Sequence, residues 1–292
     1  MSDDPRWRRF NSAATAFLRL LRLGLCLAWL AIRLYAFSVA AVEEYSYDKY
    51  QEDLATLKLL KASGVSVDFE SQWPDSSTRS RRRRNQFVVG DRISSVVLHK
   101  DAVPADVERV LARQTSLRYV SFQSAKTTDA QISWCADLPN LTSLMLNRTQ
   151  ITDLGLEHLK QLESLRTLHL SGTKISDAGL VSLQGLKNLE HLDLSHTKIS
   201  GTGLKYLCGS KRLHSLDLSS ASITDDGLET IELLTDLKTL DLERTRITDD
   251  CVKYLVQLKN LQRLYVGHTR ISARGRSMIK DTLPDCEIMR PR

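Results

Sequence analysis

The sequence predicts an α/β solenoid, in which similar coils of one strand and one short helix stack on each other. A 24-residue period runs without a slip, and the first leucine of each unit falls at Leu117, Leu141, Leu165, Leu189, Leu213, Leu237 and Leu261. The composition agrees, because 42% of the residues are hydrophobic but only 6% are aromatic, as expected when every coil fills the same slots with the same aliphatic shapes. A fixed period of this length indicates supersecondary units that are stable only as a stack.

The first element is a membrane segment. Residues 1–22 are basic, and residues 23–42 are apolar except for Arg33, which makes them long enough to cross a bilayer. Acidic residues follow at Glu43, Glu44 and Asp48. The positive-inside rule then predicts a single-pass signal-anchor, with residues 1–22 in the cytoplasm and the repeats outside it.

Two other interpretations of the same segment stay open. Ser38-Val39-Ala40 places small residues where a signal peptidase cleaves, so the segment could be a removed signal peptide. Alternatively, Arg19, Arg22 and Arg33 fall within about 60° on a helical wheel, which is typical of a helix lying in the membrane interface.

Residues 43–92 are predicted to form a cap over the first coil. Apolar residues follow helical spacing over 46–63, and Ser63-Gly64 is a plausible helix end. Val65, Val67 and Phe69 then alternate with polar residues, as in a short strand. Terminal units of a solenoid need such a cover, because their apolar end would otherwise face water.

The run Arg79–Arg84 carries five arginines in six residues, which cannot pack together and therefore indicates a loop. The simplest interpretation is a solvated linker. Contact with an anionic lipid or polymer, or cleavage at a basic proteolytic site, are the functional alternatives.

The repeat domain is predicted over 93–292, and one unit shows how each coil is built. The stretch Leu141–Leu146 alternates apolar and polar residues and predicts a strand with its leucines turned inward. Thr152 or Asp153 is a suitable N-cap for a short helix, and Gly155 is expected to allow close approach to the neighbouring coil.

One threonine recurs in the turn after each strand. It appears at Thr149, Thr173, Thr197, Thr245 and Thr269, with Ala125 and Ala221 as exceptions. A buried hydroxyl needs a partner, so we expect these side chains to bond turn backbone groups of their own and the adjacent coil. A residue repeated in every coil supports the coil and is not a catalytic threonine.

Charge and cysteine content exclude several functions. The formal charge of +6 comes mostly from the arginines of residues 1–42, so it does not indicate a nucleic-acid-binding face. The five cysteines include no C-x-x-C pair, which removes the usual basis for a zinc or redox site. Cys135 falls where leucines stand in later coils and is predicted to be a small buried residue. We therefore expect no cofactor.

The unit L-x-x-L-x-L-x-x-T-x-I-[ST]-D-x-G-L-x-x-L resembles the leucine-rich-repeat family, in particular the short threonine-bearing class of bacterial proteins with an N-terminal membrane segment. The ending Leu283–Ile288 resembles a final half-coil that caps the stack in that class. The resemblance implies a right-handed coil with a parallel sheet on the concave face and short helices on the convex face. It also implies binding of a protein or other ligand on the concave sheet, without a catalytic motif.

The residues that point outward from the strands form columns spaced by one coil. From these columns we predict a partner-binding set on the concave face: Tyr119, Met145, His169, His191, Asp193, Asp217, Asp241, Glu243, Arg263 and Tyr265. Eight strands about 4.8 Å apart span roughly 34 Å. That length suits a protein segment or a polymer better than a small metabolite.

Asp193, Asp217 and Asp241 are the most distinctive members of this set. Like charges on adjacent strands destabilise a sheet by about 0.2–1 kcal/mol per pair. One interpretation is structural, with the carboxylates accepting hydrogen bonds from Ser195, Ser219 and Arg244. The alternatives are an acidic strip for a basic partner and a divalent-cation site, while His169 beside Asp193 could titrate near neutral pH.

The sequence therefore predicts a membrane-anchored, non-catalytic scaffold that binds a protein or polymer. An alternative is a substrate-recognition adaptor, because the I-T-D-x-G-L phrase is also similar to the repeats of F-box proteins of ubiquitin ligases. A hydrolase is a minor alternative, since no G-x-S-x-G, H-E-x-x-H or P-loop motif is present. The sequence does not indicate an oligomeric state.

Overall fold

A computed structural model describes residues 55–56, 58–60, 62–70, 92–100 and 103–289, and all of them belong to one compact unit, Asp53–Arg292. No helix within these ranges combines the length and the hydrophobicity needed to cross a membrane. The predicted membrane segment, residues 23–42, and the arginine run Arg79–Arg84 lie outside the described residues.

Within the described residues, the sheet has ten strands that neighbour one another in sequence order. β1 pairs with β2 antiparallel, and each later strand pairs with its predecessor in parallel. The strands are β1 Val65–Glu70, β2 Arg92–Leu98, β3 Tyr119–Phe122, β4 Ser143–Met145, β5 Thr167–His169, β6 His191–Asp193, β7 Ser215–Asp217, β8 Thr239–Asp241, β9 Arg263–Tyr265 and β10 Glu287–Met289. The predicted α/β solenoid with a parallel sheet is confirmed.

The return segment of each coil is a short helix. In the described coils, four of these are α-helices: α1 Ala105–Ala112, α2 Asp153–Glu157, α3 Val252–Leu255 and α4 Ala273–Thr282. The others are 3₁₀-helices at Asp129–Asp137, Gly179–Leu183, Leu204–Leu207, Asp226–Leu233 and Asp249–Cys251. A 3₁₀-helix rises about 2.0 Å per residue, against 1.5 Å for an α-helix, so it spans the coil with fewer residues.

The interior between strands and helices is filled by the repeated aliphatic positions. In the coil that begins at Leu141, the side chains of Leu144, Leu146, Ile151 and Leu156 are fully buried. Cys135 is also fully buried, as predicted, and desolvation raises the pKa of its thiol. Because each coil seals the next, the core extends along the whole stack.

Both ends of the stack are covered. At the first end, residues 58–60 are helical, Gly64 ends this segment with a φ of +72°, and β1 covers the edge of β2. The side chains of Leu60 and Val65 are buried in the same hydrophobic cluster as Ile93 and Val96 of β2. At the other end, β10 extends the sheet, and Leu283 and Cys286 are buried.

The threonine column bonds within its own coil. Thr149 Oγ1 donates to the Leu146 carbonyl over 2.7 Å, and Thr173 Oγ1 donates to the Leu170 carbonyl over 2.6 Å. The adjacent coil is reached by the backbone instead, as where the Arg148 N–H donates to the Ser171 carbonyl. The expected contact of the hydroxyls with the next coil is therefore not what joins the coils.

Candidate functional site

The predicted columns are in register on adjacent strands. In the middle column, Met145 pairs with His169, His169 with Asp193, Asp193 with Asp217, Asp217 with Asp241, and Asp241 with Tyr265. The first column aligns in the same way, as Tyr119 with Ser143 and Thr239 with Arg263. We call the side of the sheet that carries these two columns the open face, because the intervening leucines are buried on the other side.

The predicted site residues differ in exposure. His191 and Arg263 are exposed, and Tyr119, Met145, His169, Asp193 and Asp217 are partly exposed. By contrast, Asp241, Glu243 and Tyr265 are buried, with 9%, 7% and 6% of their surface accessible. The accessible part of the open face therefore centres on β4 to β7.

Asp193 is the centre of a small polar network. Its Oδ1 accepts hydrogen bonds from the Ser195 N–H over 2.9 Å and the Ser195 hydroxyl over 2.7 Å, while Oδ2 lies 3.4 Å from His169 Nδ1. Burial disfavours ionisation of Asp193, but hydrogen bonds from His169 and Ser195 outweigh it and lower the pKa of the carboxyl. Asp193 therefore carries a negative charge at neutral pH.

Asp217 and Asp241 end their strands in the same way. Asp217 Oδ1 accepts from the Ser219 N–H over 2.8 Å, and Asp241 Oδ1 accepts from the Glu243 N–H over 2.9 Å. The predicted bonds from Ser195 and Ser219 are thus present, whereas the partner of Asp241 Oδ1 is Glu243, where Arg244 was expected. Each carboxylate uses one oxygen to hold the turn that follows its strand.

The second carboxylate oxygen of Asp217 differs from that of Asp193 in its contacts. Asp193 Oδ2 faces His169, whereas no hydrogen bond or ion pair to Asp217 Oδ2 occurs within the described ranges. Asp217 is also partly exposed. It therefore offers a charged acceptor in the middle of the open face.

The network around Asp193 has the wrong order for nucleophilic catalysis. A catalytic serine must bond a histidine, which in turn bonds an aspartate. Here Asp193 stands between Ser195 and His169, and the Ser195 side of the network continues to Ser171 Oγ over 2.7 Å. This arrangement holds Ser195 in place and does not activate its hydroxyl.

The acidic residues are also not arranged as a metal centre. Across the residues with described positions, no group of three or more His, Cys, Asp or Glu side chains converges as a metal site would. Asp193, Asp217 and Asp241 lie on three successive strands, and Oδ1 of each already accepts a hydrogen bond from a backbone N–H.

A second row of aspartates, which the sequence interpretation missed, joins the coils at the helix starts. Asp153 Oδ1 accepts from the Ser176 N–H over 2.7 Å, and Oδ2 accepts from the Ser176 hydroxyl over 2.6 Å. The same pair of hydrogen bonds links Asp129 to Thr152, Asp225 to Thr248 and Asp249 to Ser272, and at Asp177 a single oxygen, Oδ2, accepts both the N–H and the hydroxyl of Ser200. These carboxylates hold adjacent coils together. The recurring [ST]-D pair is the sequence pattern that could have revealed them.

This row also explains the recurring glycine. A Cβ at Gly155 would lie 2.3 Å from Asp129 Oδ1, and one at Gly179 would lie 2.3 Å from Asp153 Oδ1. The expected close approach is therefore confirmed, and its cause is the preceding coil's carboxylate. At Cys251, which replaces this glycine, burial and then the charge of Asp225 raise the pKa of the thiol to about 12.

The repeats match a known family profile. The profile described as leucine rich repeat matches residues 115–175, 139–199 and 163–223. No curated protein matches the chain closely enough to count as a relative.

Several solved structures of bacterial proteins are similar to this chain. A leucine-rich-repeat protein of Leptospira interrogans shares 26% identity and a TM-score of 0.53 over 67% of this chain and 48% of its own, so this chain spans about half of its length. An internalin of Listeria monocytogenes (21% identity, TM-score 0.45, 61% of this chain and 55% of its own) and internalin C2 of the same species (26%, 0.43, 56% and 76%) are further matches. The profile match and the coil register together show that residues 115–223 are leucine-rich repeats.

Proposed function

We propose that this chain is a non-catalytic binding protein that holds a basic protein segment against the open face. The observation that carries the proposal is the alignment of Asp193, Asp217 and Asp241 on three adjacent strands. Leucine-rich repeats typically act as scaffolds for protein–protein interaction, which agrees with this use of the sheet.

Electrostatics favours a basic partner. Carboxylates on neighbouring strands stand about 5 Å apart and repel each other. Asp193 has a potential cation beside it, His169, while Asp217 Oδ2 is available to a ligand. A lysine or arginine side chain laid over β6 and β7 relieves the repulsion and gains charge-assisted hydrogen bonds.

A matched pair of variants tests the site. An oligolysine peptide is titrated onto the full-length protein in non-ionic detergent, and binding is followed by fluorescence anisotropy. We expect Asp193→Lys/Asp217→Lys to weaken binding at least about tenfold, since reversing contact charges acts on affinity directly. The control is Asp226→Lys/Asp250→Lys, which makes the same change in charge on two exposed residues that are also one coil apart.

Folding must be checked because Asp193 supports its turn. Asp217→Asn keeps an acceptor for the Ser219 N–H while removing the charge, so the sheet is preserved and peptide binding weakens by about threefold. Equal binding by the wild type and both open-face variants, with unchanged melting temperatures, rules out this surface as the site.

We further infer that residues 23–42 anchor the protein in the membrane and that the repeats lie outside the cytoplasm. The support is the apolar stretch with arginines before it and acidic residues after it. Protease added to intact cells should then digest the repeats, and the anchored chain should remain with the membrane fraction at high salt. Protection of the repeats in intact cells but not in lysed cells contradicts this topology.

A further inference from the structure

Two rows of exposed or partly exposed residues run along the turns that follow the strands. The inner row is Arg148, Gly172, His196, Ser220, Arg244 and His268, and the outer row is Gln150, Lys174, Lys198, Ser222, Arg246 and Arg270. We call these twelve positions the basic edge. They lie beyond the ends of the strands and include none of the residues of the open face.

Backbone hydrogen bonds between coils hold both rows in place. In the inner row, the N–H of His196 donates to the Ser219 carbonyl and that of Arg244 to the Gly267 carbonyl. In the outer row, the N–H of Lys174 donates to the Ile151 carbonyl and that of Arg270 to the Ile247 carbonyl. The side chains of the edge therefore repeat at one coil, about 4.8 Å, on a rigid support.

The basic edge concentrates positive charge. It carries six fixed cations and no acidic residue: Arg148, Lys174, Lys198, Arg244, Arg246 and Arg270. All six are exposed, and none takes part in the side-chain hydrogen bonds or ion pairs of the described residues. Their charges are therefore available to a partner.

The rest of the repeat region does not share this charge. Residues 93–292 contain 26 lysines and arginines and 24 aspartates and glutamates, a net charge of +2. Since the basic edge alone contributes six positive charges, the remainder of this span is net negative. Charge separated in this way creates a local field that attracts an anionic partner to one edge.

The chemistry of the edge favours one class of anion. Its twelve positions include no Phe, Tyr or Trp to stack on nucleobases and no large apolar residue to enter a bilayer. Its inner-row arginines can form paired hydrogen bonds to carboxylates. From first to last coil the outer row spans about 24 Å, which about seven extended residues cover.

We propose that the basic edge binds an extended peptide segment rich in glutamate and aspartate. Most of the backbone N–H groups of both rows already form hydrogen bonds between coils. Recognition therefore depends on the cationic side chains, which contact carboxylates spaced along the peptide. This surface is separate from the acidic open face, so one chain can hold a basic and an acidic segment at the same time.

The test uses an oligoglutamate peptide and the full-length protein in non-ionic detergent. We expect Lys174→Glu/Lys198→Glu to weaken binding about tenfold. Lys187→Glu/Lys211→Glu is the matched control, because these exposed lysines are also one coil apart, carry the same change in charge and lie outside the edge. The control should stay within about twofold of the wild type.

Further arms identify the partner class. Arg246→Glu/Arg270→Glu should weaken oligoglutamate binding as the lysine pair does, and oligoglutamine should not bind. Equal loss in the edge and control variants overturns the proposal, as does tighter edge-dependent binding of phosphatidylserine vesicles or single-stranded DNA than of oligoglutamate. Asp193→Lys/Asp217→Lys should leave oligoglutamate binding unweakened, which separates this surface from the open face.

Discussion

At the scale of single residues, the carboxylates of this chain fall into two kinds. Asp177 accepts four hydrogen bonds from the next coil: the Ser200 N–H and hydroxyl, the Gly201 N–H and the Gly203 N–H. The side chain of Asp226 is exposed and makes no hydrogen bond with the described residues. The first kind holds coils together, and the second is exposed to solvent.

This difference predicts a stability effect that depends on pH. Burial opposes ionisation of Asp177, but its hydrogen bonds outweigh burial and lower the pKa of the carboxyl below 3.8. The native state therefore binds this proton more weakly than the unfolded state. The stabilisation is fully present above pH 3.8, and it is lost as the pH falls through the lower, folded-state pKa.

We expect Asp177→Ala to reduce the free energy of unfolding by about 1–2 kcal/mol at pH 7. The value lies at the low end of the range for charged hydrogen bonds because the carboxylate is only partly buried and solvent screens it. The difference from the wild type should shrink below pH 3.8. Urea denaturation at several pH values measures both effects, and Asp226→Ala, the control, should change stability by less than about 0.5 kcal/mol. A pH-independent difference contradicts the assignment.

Residue roles were predictable from the sequence where the partner is local. The threonine hydroxyls bond carbonyls three residues back, and Asp193 and Asp217 bond N–H groups two residues on. The bond from Asp153 to Ser176 was missed because it spans 23 residues. A serine or threonine followed by aspartate is also a common pattern at the start of a helix, and Thr152 does cap α2. The pattern therefore suggested a local capping role for the aspartate and not a bond to the next coil.

At the scale of secondary-structure elements, one junction departs from the others. Gly201 stands where other coils have the bridging aspartate and adopts a φ of +110°. The following helix start approaches it directly, and a Cβ on Gly227 would lie 1.9 Å from the Ser200 carbonyl oxygen. Backbone-to-backbone packing here takes the place of the carboxylate bridge.

Gly227→Ala should therefore be strongly destabilising. The added methyl group meets the backbone, which cannot move as a flexible side chain can, so we expect a loss of about 2–3 kcal/mol. Gly209→Ala is the control, since its Cβ would meet only the Gln184 carbonyl at 3.3 Å, and it should cost less than about 1 kcal/mol. Thermal melts of both variants give the comparison. Similar melting temperatures would show that the two coils separate easily at this junction.

The elements themselves were predictable in kind but not in detail. Alternation of leucines gave the strands and their columns, because a period of two residues is set by strand geometry. The return helices were expected, yet five of the nine in the described coils are 3₁₀, since the coil length and not residue preference decides how tightly they wind. The residue before each turn threonine, such as Arg148 or His196, has a positive φ that its residue type does not signal.

At the scale of the whole molecule, charge is arranged by surface. The open face carries aligned aspartates, whereas the basic edge carries arginines and lysines. The aspartates were found from the sequence because they share one position of the strand pattern. The basic edge was missed because its residues lie in turns and because the repeats as a whole carry only +2 of the net charge of +6.

The repeat period makes a further prediction about the whole stack. Deleting residues 165–188 removes one complete coil and joins Ser164 to Leu189, so that β4 should pair with β6 in the register that it now has with β5. Asp153 should bond Ser200 in place of Ser176, the same residue type. The shortened protein should fold cooperatively and lose only part of its stability, because solenoid stability is approximately a sum over units and their interfaces.

Deleting only residues 165–176 should have the opposite effect, although it removes half as many residues. This deletion leaves a helix without its strand, so the leucines of one coil no longer meet those of the next and the hydrophobic core is interrupted. Circular dichroism melts and limited proteolysis compare the two proteins. A cooperative transition in the shorter deletion, or its loss in the complete-coil deletion, would show that the stack is not held together by the register of identical coils.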